Sequence, residues 1–218
     1  MAGFFGKLFG KKNSGKRSIK ADATPDLPIP FGYKNAWYAI KDETPESVIQ
    51  KLELNILAQA NWQSGMNHAD STDDVFVSPQ IDGYVLVVGL FGITRNDIGQ
   101  DIITRHGSLF NNLQYFGTYR TVDYHAWAKF ADGKLVRAYS YIGETGEVQW
   151  NEGAITPEEV ELGLDKLVQS DEDFENEDKD YPDEENVVDI AKAWGINPLF
   201  ENKAYEKSAG YICSFNVT

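Results

Sequence analysis

Between Tyr115 and Ile142, two runs rich in aromatic and branched side chains meet at Asp132-Gly133. That dipeptide supplies positive φ at both central positions of a two-residue type I′ hairpin turn. So short a loop dictates how the flanking strands pair. Ala131 is set against Lys134, Phe130 against Leu135, Ala126 against Tyr139 and Tyr124 against Tyr141. Alternation then places Tyr124, Ala126, Ala128, Phe130, Leu135, Tyr139 and Tyr141 on one face with Arg120 and Arg137. The other face carries Asp123, His125, Trp127, Val136, Ala138, Ser140 and Ile142. Both faces are largely apolar, so the hairpin is expected in the middle of a sheet covered on each side.

A second Asp-Gly pair, Asp82-Gly83, joins residues 75–77 to 84–91 in another hairpin, whose first strand ends at Pro79. The unbroken apolar run Val85–Val88 predicts burial on both faces. Residues 33–40 read as a strand. Thr44 and Pro45 open a helix that gathers Val48, Ile49, Leu52 and Ile56 on one face and runs toward Ala60. Thr94 opens another, with Ile98, Ile102 and Ile103 inward, Arg105 and His106 in its last turn and Gly107 beyond. Thr156-Pro157-Glu158-Glu159 is a capping box for a short helix through Leu162 and Leu164. Pro182 begins a helix to Trp194, closed by Gly195, with Val187, Ile190, Ala191 and Trp194 as its apolar stripe, and residues 211–217 form a last strand. Strands interrupted by helices, with at least two hairpins, predict an α+β fold: a mixed or mainly antiparallel sheet with helices packed on it, in a single domain.

Charge divides the chain. Six of its 20 basic residues (Lys7, Lys11, Lys12, Lys16, Arg17 and Lys20) fall in the first twenty positions without one acid, and the rest of the chain carries all 34 acids. We read residues 1–24 as a basic tail, 25–30, with its three prolines, as an extended spacer, and 31–218 as an acidic domain. In a helical tail Phe4, Phe5, Leu8 and Phe9 would form one stripe beside Lys7, Lys11 and Lys12, a pattern suited to weak contact with an anionic membrane surface. The acidic body disfavours nucleic acid. No run of about 18 apolar residues is present, so no membrane-spanning helix is expected. A single cysteine, Cys213 in an apolar run, forms no internal disulfide and suits a reducing cytoplasm.

Motifs for catalysis are sparse. There is no Gly-x-Ser-x-Gly, no Walker loop and no dinucleotide fingerprint, so no cofactor is expected. His68, His106 and His125 have no metal-ligand spacing. Asp171, Asp173, Glu175 and Glu177 alternate like early calcium ligands, but Asn176 and Pro182 occupy the positions where an EF-hand loop needs glycine and glutamate. Asp123 and His125, two apart on a strand, are the candidate acid–base pair, with Ser140 as the nucleophile opposite His125. Tyr119, Arg120, Arg137 and Tyr139 are candidates for a ligand groove. Residues 171–185 hold ten acids and one lysine and read as a solvated loop; Asp171, Glu172, Asp173, Glu175, Glu177 and Asp178 are its candidate protein-binding carboxylates.

Four stretches, Phe31-Gly-Tyr-Lys-Asn-Ala-Trp37, Val77-Ser-Pro-Gln-Ile-Asp-Gly-Tyr-Val-Leu-Val-Val-Gly89, Gln114-Tyr-Phe-Gly-Thr-Tyr-Arg120 and Tyr124-His-Ala-Trp-Ala128, resemble those of a group of bacterial single-domain proteins with no established activity. The resemblance covers residues 31–200 and not the tail; it implies a bacterial chain and transfers no site. Composition and charge lead to a non-enzymatic cytoplasmic protein that binds a basic protein through an acidic surface, an immunity-type toxin neutraliser being its most concrete form. The alternatives are an enzyme using Asp123 and His125 and a membrane-peripheral scaffold attached by the tail.

Overall fold

The computed structural model describes residues 19–90, 99–176, 178–201 and 203–216. Within them the strands are β1 (Ala36–Lys41), β2 (Asn55–Asn61), β3 (Val75–Val77), β4 (Tyr84–Gly89), β5 (Asn112–Tyr119), β6 (Tyr124–Ala131), β7 (Lys134–Ile142), β8 (Glu147–Glu152) and β9 (Ala209–Ser214). The helices are α1 (Pro45–Lys51), α2 (Trp62–Ala69), α3 (Gly99–Gly107), α4 (Pro157–Glu161) and α5 (Glu184–Trp194). All the strands join one sheet in the order β2-β9-β3-β4-β1-β5-β6-β7-β8, and each neighbouring pair is antiparallel. The fold is α+β.

The central strands are buried on both faces, which explains the unbroken Val85–Val88 run in a strand that pairs on both sides. One face presents Trp37, Phe76, Leu86, Val88, Phe116, Trp127, Tyr139 and Tyr141 to Trp62 and Met66 of α2 and to Val187, Ile190, Ala191 and Trp194 of α5. The opposite face presents Tyr38, Ile40, Val85, Val87, Tyr115, Ala126 and Phe130 to Val48 and Ile49 of α1 and Ile103 of α3. Asp82 and Gly83 stand at φ 54° and 81°, Asp132 and Gly133 at 49° and 69°. Both Asp-Gly pairs therefore take the left-handed conformations that two-residue hairpins demand.

The structure corrects several expectations. The helix from Thr44 stops at Lys51 rather than near Ala60: Glu53 turns left-handed at φ 53° and the Leu54 amide bonds back to the Ile49 carbonyl at 2.9 Å, a closure that ends helices. The residues beyond form β2, paired with β9, so Ile56 is 55% exposed on an edge strand instead of lying on the helix face. In α3 Ile103 is buried but Ile102 points to solvent; Thr94 and Ile98 lie outside the described residues. The helix expected at Pro182 begins at Glu184, with Asp183 as its cap. The proline-rich segment is not a free spacer. Asp26 exchanges two backbone bonds with Ser208, and its carboxylate accepts from the amides of Trp62 and Gln63 at the start of α2.

The largest correction concerns β6 and β7. Their pairing follows the expected register at Ala131–Lys134 and Phe130–Leu135, then shifts by one, so that Lys129 opposes Arg137, Ala126 opposes Ser140 and His125 opposes Tyr141. Val136 is the extra residue of a β-bulge. From there onward the two faces of β7 are exchanged: Arg137, Tyr139 and Tyr141 turn to the α5 side with Trp127 and His125, and Ala138 and Ser140 turn away.

Candidate functional site

Asp123 precedes β6 at φ 53°, in a tight turn closed by the Gly143 amide on its carbonyl at 2.9 Å. Two residues on, and so on the same side of the strand, His125 donates from Nε2 to Asp123 Oδ1 at 2.9 Å. The imidazole is 2% exposed and the carboxylate 61%. Thr118 and Tyr141 flank His125 on the neighbouring strands. Against them sits the first turn of α5, fixed by a reciprocal cap: Asp183 Oδ1 accepts from the Asn186 amide, and Asn186 Oδ1 from the Asp183 amide. Glu184 reaches back to the sheet, where its carboxylate accepts from Arg120 Nε at 2.6 and 2.7 Å and from the Thr118 hydroxyl at 3.3 Å. The Arg120 guanidinium also lies 5.9 Å over the Tyr33 ring. Arg120, Asp123, His125, Asp183, Glu184 and Glu185 together line an open cleft of about 350 Å³.

The structure thus joins Asp123 and His125 but separates Ser140, which the bulge carries to the opposite face of the sheet. The four groove candidates disperse. Arg120 enters the cleft, while Tyr119 packs half-buried against the other face. Arg137 is 1% exposed. Its Nε donates to Glu159 Oε1 and Oε2 at 3.0 and 3.1 Å, and its Nη1 to Ala138 O, Asn151 Oδ1 and Glu152 O. Tyr139 is fully buried, stacked on Trp127 with its hydroxyl donating to Val168 O at 2.8 Å, and burial pushes its phenol far up. Neither lines a groove, because the bulge turns both beneath α4 and the segment that follows it.

The acidic stretch is not a loose loop. Asp171–Glu175 forms a 3₁₀ turn. The backbone is tied by Val168 N to Asp180 O at 2.9 Å and Asp180 N to Lys166 O at 3.1 Å, and Asp173 Oδ2 accepts from the Gln169 amide at 2.7 Å. Phe174 and Tyr181 stack on each other with centroids 6.1 Å apart, and both rest on Tyr141, at 6.2 and 5.8 Å. Glu172 and Asp178 remain exposed and Asp173 is half-buried. Glu177, the side chains of Asp171 and Glu175, and the tail residues Phe4, Phe5, Lys7, Leu8, Phe9, Lys11 and Lys12 lie outside the described residues. Asp183, Glu184 and Glu185 belong to the cleft but are absent from the carboxylates singled out by sequence, because the contact that brings them to Arg120 joins distant parts of the chain.

Among the described residues, no three His, Cys, Asp or Glu side chains are placed to hold a metal ion, and no helix is long and apolar enough to cross a membrane. His68 pairs with Asp74 at 2.7 Å and His106 with the Tyr38 hydroxyl at 3.0 Å. Cys213 is buried, which pushes its thiol up to about 12, so it is inert at neutral pH. No family model, no curated protein and no solved structure matches the chain.

Proposed function

We propose that the chain is a binding protein that captures a basic protein on the acidic surface formed by residues 171–185 and the adjoining cleft, with toxin neutralisation as its most specific form. The observation that carries this reading is the seating of the acidic stretch on Tyr141 through Phe174 and Tyr181. A like-charged segment left to itself extends into solvent. Here an aromatic stack and backbone bonds fix it, so that Glu172, Asp178, Asp183 and Glu185 present their charge from an ordered backbone. Pre-ordered side chains lose less entropy on association, and a field of one sign accelerates encounter with an oppositely charged partner. Beyond the first twenty positions the chain carries 34 acids against 14 bases, which extends that field over the whole body.

The test is co-purification from native lysate at low salt and at about 150 mM salt, where exposed charges act over about 8 Å, using wild type and a Glu172→Gln, Asp178→Asn, Asp183→Asn, Glu185→Gln variant. A basic protein retained by wild type and lost from the variant supports capture. Equal retention, or no basic partner at either salt, removes it. The Asp123–His125 hydrogen bond supports a second reading, acid–base catalysis in the cleft. Its check is a panel of ester, phosphoester and peptide substrates; turnover that survives His125→Ala disposes of it.

A further inference from the structure

The sheet ends in β8 on one side and β2 on the other, and the two edges are finished differently. At β8 the carboxylates of Glu147 and Glu152 stand exposed at either end, and Gln100 Nε2 donates to the Gln149 carbonyl. Edge charges and covering groups keep other strands away. At β2 the seven residues Asn55–Asn61 include no charge and no proline. Asn55, Ile56 and Gln59 are exposed, and Ile56, at 55%, is the most exposed large hydrophobic side chain among the described residues. The Asn61 amide donates at 2.7 Å to the carbonyl of Asp22, which lies outside the strands, and so points away from β9. Antiparallel ladders alternate residues that bond one neighbour with residues that face the other way. Gln59, two positions back, therefore turns its own N–H and C=O outward. A β-bulge between Ile56 and Ala58 is the protection that β2 itself carries.

We propose that β2 pairs antiparallel with β2 of a second copy of this chain, joining the two sheets edge to edge. Charge selects the occupant. Beyond its first twenty positions the chain carries 34 acids against 14 bases, and two such bodies repel each other, yet β2 is neutral, so copies can meet here with their like charges set back from the contact. A two-fold axis sets the start of one β2 beside the end of the other. Glu53, exposed two residues before β2, is thereby brought toward Lys20 of the mate, exposed two residues before the Asp22 carbonyl that holds the end of β2. The axis repeats that attraction at both ends. Pairing also answers the outward N–H and C=O of Gln59 and covers Ile56. Seven residues a side fall short of the roughly 20–30 of a standard interface. The dimer is accordingly reversible and forms at high concentration. Because β2 lies at the far end of the sheet from β6, β7 and β8, both acidic surfaces stay open in it.

The experiment is sedimentation velocity on the full-length protein from about 1 μM to about 1 mM, at about 150 mM salt, where repulsion between the acidic bodies is screened beyond about 8 Å. The expected result is a reversible shift from monomer to dimer as concentration rises. Gln59→Pro removes the outward N–H at an edge position that tolerates proline, and weakens the dimer about tenfold, the loss of one hydrogen bond from each copy. Ile56→Lys, which leaves the backbone intact, weakens it as well and serves should Gln59→Pro disturb β2; urea midpoints show that each variant is folded. Glu53→Lys and Lys20→Glu each weaken the dimer about threefold, and the two together restore it. Glu53 and Lys20 lie at opposite ends of β2 in one chain, so only a second, antiparallel copy can produce that rescue. A monomer at every concentration overturns the proposal, as does a dimer that neither Gln59→Pro nor Ile56→Lys weakens. Charge variants that stay weak when combined remove the antiparallel two-fold. A monomeric chain that recovers another protein from lysate through wild type but not through Gln59→Pro assigns the edge to a foreign strand, and self-pairing falls. No basic protein is present in the sedimentation cell, so either result leaves capture to its own test.

Discussion

Replacing Glu159 by alanine is expected to cost about 4 kcal/mol, because one fully buried carboxylate satisfies three groups at once. Glu159 and Arg137 are each 1% exposed. The carboxylate accepts from Arg137 Nε at 3.0 and 3.1 Å, from Trp127 Nε1 at 2.9 Å and from the Thr156 amide at 2.8 Å, the last being one arm of the capping box that starts α4. Truncation leaves a guanidinium in the interior facing only neutral acceptors, and breaking a buried pair from one side costs about 3–5 kcal/mol. The orphaned Trp127 and Thr156 donors do not add their full separate costs, since they share the deleted group. A loss of that size is a large fraction of a typical stability of about 5–15 kcal/mol. Urea unfolding at pH 7, followed by both tryptophan fluorescence and circular dichroism, reads it as a lower midpoint at unchanged slope. A second variant separates the stranded charge from the lost packing. An Arg137→Met, Glu159→Leu double variant removes both ions and is expected to be more stable than Glu159→Ala alone. A Glu159→Ala loss below about 1 kcal/mol, or a double variant no better than the single one, refutes the reasoning.

Three further outcomes follow from local geometry. His106 is buried, and burial, with Arg105 beside it, holds its imidazole down to about 4; the unfolded chain therefore takes up a proton near pH 6.5 that the folded chain refuses. The associated stability is complete above pH 6.5 and is lost as the pH falls toward 4, by up to about 3 kcal/mol, and His106→Gln removes that part of the slope in urea midpoints measured from pH 7.5 to 4. Gly153→Ala places a Cβ 2.1 Å from Val136 O at a φ of 79°, which predicts a cost of about 3 kcal/mol by the same urea assay. Phe174→Ala removes one ring of the cluster it forms with Tyr141 and Tyr181 and is expected to speed cleavage after Glu172 by a glutamate-specific protease several-fold, with about 1–2 kcal/mol lost globally.

Features whose chemistry is local were legible in the sequence. Asp82-Gly83 and Asp132-Gly133 make the turns that their positive φ requires, Thr44-Pro45 and Thr156–Glu159 start helices by side-chain caps, and the Val187, Ile190, Ala191, Trp194 stripe lies against the sheet. Features that depend on a distant partner were not. Asn55–Asn61 has little alternation of its own and is a strand because β9, some 150 residues later, pairs with it. Of the candidate site, the spacing of Asp123 and His125 was readable because a strand repeats every two residues. The addition of Asp183, Glu184 and Glu185 was not, since the Arg120–Glu184 contact joins positions 64 apart through the docking of α5.

Val136 separates what a bulge contributes through pairing from what it contributes through twist. Its side chain is 43% exposed, so Val136→Thr should stay within about 0.5 kcal/mol of wild type, as surface changes do. Beyond this extra residue Arg137 faces Glu159, Tyr139 reaches Val168, and Tyr141 lies under Phe174 and Tyr181. Deleting Val136 would join Leu135 directly to Arg137 and leave Leu135 opposite Phe130 and Arg137 opposite Lys129, the pairing already present on either side of the bulge, so all three side chains keep their faces. The deletion variant is therefore expected to retain a cooperative urea transition and slow proteolysis after Glu172, as Val136→Thr does. A deletion variant with no cooperative transition, or with immediate proteolysis after Glu172, would mean that the added twist of the bulge, and not the pairing alone, seats Arg137 against Glu159 and Tyr141 under the acidic stretch.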